Sequence, residues 1–139
     1  MADPRFDDVG MTFWAMNNLA QHYLAGQAAD RAVPYANAAL DLIDEVAGRD
    51  PDEPEYQRWR ADALARLAEA RAAAGDPSSA LARLDASIKV LEALHEALPS
   101  DERRRDLKEA LESALKASKG WSKKSAERKR WTELLKGLA

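Results

Sequence analysis

Leu64-Ala65-Arg66-Leu67-Ala68-Glu69-Ala70-Arg71-Ala72-Ala73-Ala74-Gly75-Asp76-Pro77-Ser78-Ser79-Ala80-Leu81-Ala82-Arg83-Leu84-Asp85-Ala86-Ser87 decides how this chain folds. Leu64, Leu67 and Ala68 recur at helical spacing, and so do Ala80, Leu84 and Ser87 after a break. The break itself is strongly marked. Gly75 suits a left-handed helix end, Asp76 a helix cap and Pro77 a first helical residue. The stretch therefore predicts two helices folded back on each other. The same pattern stands 48 positions upstream, where Met16, Leu19, Ala20 and Tyr23 are followed by Ala32, Ala36 and Ala39. A shift of 47 in the other direction maps Leu64, Ala68, Leu84, Ile88 and Leu91 onto Leu111, Leu115, Trp131, Leu135 and Leu138. Self-similarity at a fixed period is the mark of stacked supersecondary units.

Working outward, the spacing predicts six helices in three hairpins. The first runs from Asp7 or Asp8 to Gly26, with Phe13, Met16, Leu19, Ala20 and Tyr23 as its buried stripe. The second starts at Ala29 or Asp30, tolerates Pro34 in its first turns and ends at Gly48. Asp52 or Glu53 caps a third helix over 55–74, and the fourth carries Leu81, Leu84, Ile88, Leu91, Leu94 and Leu98. Ser100 caps a fifth over 101–119, and Ser122 a sixth with Trp131, Leu134, Leu135 and Leu138 on its apolar face. The units cover about 8–48, 53–98 and 101–139, the last a degenerate, capping copy. Small residues, Ala20 and Ala68 on the first helices and Ala32 and Ala80 on the second, allow close crossing. The fold class is all-α, a short solenoid of three antiparallel hairpins making one domain over residues 1–139.

Composition agrees. Alanine, the best helix former, supplies 29 of 139 residues, whereas Gly and Pro number six each and cluster at the breaks. The chain has no cysteine, which excludes a disulfide framework and thiolate metal sites. Its acidic N-terminal residues lack a signal-like apolar run, and no stretch has the roughly 18 apolar residues of a membrane span. A cytoplasmic setting is the expectation. The net charge of −3 hides an asymmetry. From Lys116 onward eight basic residues face two acidic ones, a local charge of +6, and the preceding 115 residues carry −9.

Catalytic chemistry finds no foothold. There is no phosphate-binding glycine loop, dinucleotide fingerprint or Ser-His-Asp order. Glu92 and His95 have the spacing of one half of a bundle di-iron site, but His22 has no matching glutamate. Asp41, Asp44 and Glu45 suit the solvated face of the second helix better than a cation site. The expectation is a non-enzyme with no cofactor and no metal.

Lys119, Lys123, Lys124, Arg128, Lys129 and Arg130, framed by Trp121 and Trp131, form a candidate basic patch. Cations interleaved with aromatic rings serve phosphate neutralisation and base stacking, and equally an anionic membrane surface or an acidic protein. The same residues also fit the solvated side of a last helix whose Trp131 is core.

Leu64-xx-Leu67-Ala68-xx-Arg71-xxx-Gly75-xxxx-Ala80-xxx-Leu84-xx-Ser87 resembles the tetratricopeptide repeat, with Arg71 at a usually aromatic position. Asn17-Asn18-Leu19-Ala20-xx-Tyr23 and Gly48-Arg49-Asp50-Pro51 resemble its longer kinesin-light-chain subtype. The unit length, near 48, exceeds both. The resemblance spans residues 11–98 and implies a concave groove lined by the first helix of each unit. It implies groove positions Trp14, Asn17, Asn18 and Gln21 in unit one and Asp62, Ala65, Arg66 and Glu69 in unit two. In unit three they are Glu109, Glu112, Ser113 and Lys116. Asn and Gln amides suit an extended peptide backbone, since each can donate and accept. Asp62 and Glu69 stand where the carboxylate-binding clamp of chaperone-tail-binding relatives would need cations, which disfavours that ligand. The function expected is a protein-binding adaptor or scaffold holding a peptide or partner protein. The alternatives are nucleic-acid association through the basic C-terminal helix and a self-associating module, a homo-oligomer.

Overall fold

The computed structural model describes residues 8–121 and 125–138. Among the described residues there are six α-helices and no strand: α1 (Asp8–Ala25), α2 (Ala29–Arg49), α3 (Pro54–Ala73), α4 (Pro77–Ala97), α5 (Asp101–Ala117) and α6 (Ala126–Leu138). Each helix packs along the next in sequence, and α1 also reaches α3 while α4 reaches α6. Short connections between packed neighbours give three antiparallel hairpins laid side by side, a helical solenoid.

The small residues of the repeat lie in the interior. Ala20, Ala32, Ala68 and Ala80 are all fully buried. A methyl side chain lets two backbones approach to the short end of the 8–10 Å interaxial range, so flanking large residues interlock. Two cores result. Phe13, Leu40, Ile43 and Val46 of hairpin one meet Trp59, Ala63, Leu64, Leu67 and Ala70 of α3 in the first. In the second, Ala68, Leu84 and Ile88 meet Leu107, Leu111, Ala114 and Trp131. Burying each of the larger side chains stabilises by about 1.5–3 kcal/mol. Phe13 stacks on Trp59 with ring centroids 5.5 Å apart, and Trp14 and Tyr56 meet Trp59 edge-on.

The repeat is visible in backbone geometry. Helix α3 ends with Asp76 N donating to Arg71 O at 2.9 Å and Gly75 N to Ala72 O at 3.0 Å, with Gly75 at φ 93°. Forty-eight residues earlier, Ala28 N donates to Tyr23 O at 2.8 Å and Gln27 N to Leu24 O at 3.1 Å, with Gln27 at φ 60°. Both are the same paired C-terminal motif. The next helix starts alike, from Ala28 (φ −111°, ψ 60°) and Asp76 (φ −121°, ψ 73°). The far ends agree as well: Asp50 and Leu98 cap α2 and α4 at φ −137° and −136°.

Only the second unit carries the residues this turn favours. Gln27 occupies a left-handed position that costs a residue with a Cβ roughly 1–2 kcal/mol. Ala28 offers no side-chain cap, whereas the Asp76 carboxylate accepts from Ser79 N at 3.2 Å. Gln27→Gly and Ala28→Asp are therefore each expected to stabilise the protein, by about 1 kcal/mol. Gly75→Ala is expected to destabilise it by a similar amount, although nothing lies within 4 Å of the added Cβ. Urea denaturation of the three variants checks all of this.

Four details depart from the sequence reading. Leu19, placed in the buried stripe of α1, is 39% exposed. Gly48 does not end α2, which runs on to Arg49. Leu98, placed within the fourth helix, follows its end at Ala97 and is exposed. Ser122 lies outside the described residues, and α6 is capped instead by Ser125, whose Oγ accepts from Arg128 N at 3.1 Å.

Candidate partner-binding groove

Helices α3 and α5, the first helices of units two and three, flank an open groove of about 300 Å³ on one side of the solenoid. Its walls alternate charge and small apolar surface. Arg58, Asp62, Ala65 and Glu69 come from α3; Asp106, Glu109, Ala110 and Ser113 come from α5; Ser87 and Leu91 of α4 floor it. The spacing of 58, 62, 65 and 69 is one face of α3, and 106, 109, 110 and 113 one face of α5. The opposite faces of both helices are held in the cores, which fixes these outward positions.

Four carboxylates, Asp62, Glu69, Asp106 and Glu109, line the groove against one guanidinium, Arg58. That cation is already engaged, 2.9 Å from Glu55 and 3.6 Å from Asp106. Arg66 stands beside Glu69 at 3.3 Å. Desolvation between the helices pushes the Asp62 carboxyl above its ordinary range, against the pull of Arg58 and Arg66. Ser87 is tied down, its Oγ donating to Ala61 O at 2.8 Å.

The structure thus brings together Asp62, Ala65 and Glu69 of unit two with Glu109 and Ser113 of unit three. The unit-one positions lie elsewhere. Trp14 is half-buried in the aromatic cluster with Phe13 and Trp59. Asn17 is buried, and its Oδ1 has no hydrogen-bond partner among the described residues. Asn18 and Gln21 are exposed on α1. Arg58 and Asp106 were missed by the sequence reading; one further turn along each helix from Asp62 and Glu109 would have reached them.

The folded raised state of Asp62 gives a signed expectation. A carboxyl raised by folding lowers stability as pH climbs from the ordinary aspartate pKa through the raised one. Asp62→Asn removes that loss, a small one because Asp62 keeps contact with solvent. The variant is expected to melt above the parent at neutral pH and to match it more closely at low pH, as scanning melts across pH 3–8 (about one scan per unit) would read.

The basic-patch residues are divided. Arg130 is 2.5 Å from Asp85 and 3.1 Å from Glu92, both on α4. Arg128 Nε donates to Ser118 Oγ at 2.9 Å and its Nη2 to Leu115 O at 3.1 Å. Lys119 and Lys129 are exposed, and Lys123 and Lys124 lie outside the described residues. Trp131 is fully buried, its Nε1 donating to Asp85 Oδ1 at 3.0 Å, and Trp121 packs half-buried on the second core.

Among the described residues no group of three or more His, Asp or Glu side chains could hold a metal ion. Asp44 pairs with Arg60 at 2.7 Å, Glu45 with Arg49, and Glu92 with Arg130. No described helix is long and apolar enough to cross a membrane. No protein family, characterised protein or solved structure matches the chain.

Proposed function

We propose that this chain is a non-catalytic protein-binding module of the tetratricopeptide kind, an adaptor that holds an extended, basic segment of a partner protein between α3 and α5. The observation that carries the reading is the charge of the groove: four carboxylates against one lining cation, which Asp106 and Glu55 already engage. Such a wall attracts lysine and arginine side chains, and Ala65, Ala110 and Leu91 between the charges offer contact to their aliphatic stems. The helices hold it in advance, so little ordering cost falls on association. Nucleic-acid binding through the C-terminal helix ranks second, because Arg128 and Arg130 already satisfy partners on the protein itself.

Fluorescence anisotropy with a labelled peptide of alternating lysine and alanine, and with its glutamate counterpart, tests this. The lysine peptide is expected to bind and the glutamate peptide not. Neutralising the groove by Asp62→Asn with Glu109→Gln is expected to weaken binding about tenfold. Equal binding of both peptides, or affinity indifferent to the double variant, overturns the proposal.

A further inference from the structure

The repeat supplies its own reference for what a complete stacking face looks like. In unit two, Trp59, Ala63, Leu67 and Ala70 form a stripe along α3 that is 3%, 0%, 0% and 0% exposed. They belong to the core that includes Leu40, Ile43 and Val46 of α2, the helix that runs back along α3. Subtracting 48 gives Met11, Ala15, Leu19 and His22 on α1. All four are exposed, Met11 by 63% and Leu19 by 39%. Spaced i, i+4, i+8 and i+11, they lie on one face of α1, and none is a groove position. The core of unit one therefore has, on its outer side, the face that an antiparallel helix covers in unit two.

We infer that a second copy of this chain covers it, through its own α1, in a two-fold symmetric dimer centred on Ala15. An antiparallel pair centred there sets Ala15 against Ala15, where a small side chain allows close approach, and sets Met11 of each copy against Leu19 of the other. The charges agree with that register. Apart from Asp8, the first residue of α1, and His22, in its last turn, the helix has no acidic or basic residue. The register therefore opposes no two like charges along the 11, 15, 19 and 22 face, and it sets each positive helix end beside a negative one. The far end of the solenoid does not offer an alternative mate. The exposed side of α6 shows Lys129, Thr132, Glu133 and Lys136, so head-to-tail stacking would press these against Met11 and Leu19.

One helix pair is a small interface, so the dimer is expected to dissociate at concentrations on the order of 10 µM. Sedimentation velocity of the full chain from about 1 to 500 µM is expected to show the shift from monomer to dimer. Leu19→Glu is expected to leave a monomer throughout, with unchanged helical circular dichroism. Because the chain has no native cysteine, Ala15→Cys should cross-link two copies on oxidation, and Lys129→Cys should not. A monomer at every concentration overturns the inference. So does a dimer that survives Leu19→Glu, or cross-linking through position 129 as efficient as through position 15.

Discussion

Trp131→Ala should destabilise the protein by about 3–5 kcal/mol, the range for removing a fully buried aromatic from a packed core. Two losses combine. The indole fills the second core beside Leu84, Leu107 and Leu111, and its Nε1–H satisfies Asp85 at 3.0 Å. Without it, the Asp85 carboxylate keeps Arg130 and Lys89 but loses its least exposed donor. Since α6 packs mainly on α5, with a smaller contact to α4, the damage should begin locally. Amide hydrogen exchange should show α6 losing protection first, with α1 to α3 retaining theirs. Protection lost uniformly along the chain would contradict this.

The same site sets a pH dependence of opposite sign to that of Asp62. Burial alone would raise the Asp85 carboxyl. Hydrogen bonds from Arg130, Trp131 and Lys89, with the Arg130 charge, outweigh it and hold the carboxyl below its ordinary range. A carboxyl lowered by folding contributes stability that is complete above the ordinary aspartate pKa and is lost as pH falls through the lowered one. The docking of α6 should therefore weaken below about pH 4, and Asp85→Asn should abolish that dependence.

Phe13→Ala is the second large effect, again about 3–5 kcal/mol. Phe13 is fully buried and stacks on Trp59 at 5.5 Å, so its ring joins α1 to α3 in the first core. The aromatic pair adds about 0.5–1.5 kcal/mol beyond area burial. Here the loss should fall on α1 and α2, leaving α5 and α6 protected. Urea denaturation gives the size of the loss and hydrogen exchange its location. Phe13→Leu, which keeps most of the volume, should cost less than half as much.

How far the sequence disclosed all this depended on the range of the signal. Gly75-Asp76-Pro77 announced its turn because each residue has a local conformational reason to be there. Gln27 and Ala28 make the same turn without those residues; packing of the two helices imposes it, and no local signal marks it. Leu19 has the helical spacing of a buried residue, and its counterpart Leu67 is buried. What differs is the neighbour, which periodicity along one helix does not encode. The groove was half legible: Asp62, Ala65 and Glu69 were implied by the resemblance to the tetratricopeptide repeat, but their meeting with Asp106 required the relative placement of α3 and α5. Arg130 read as part of a basic patch because its partners lie 38 and 45 residues away on another helix.

The most direct measurement is amide chemical-shift mapping of the lysine–alanine peptide titrated into the labelled protein. The largest shifts are expected on α3 and α5, at Asp62, Ala65, Glu69, Asp106, Glu109 and Ser113, with α6 little moved. Shifts concentrated on Lys119, Lys129 and their neighbours, or no saturable shifts at all, would contradict binding in the groove.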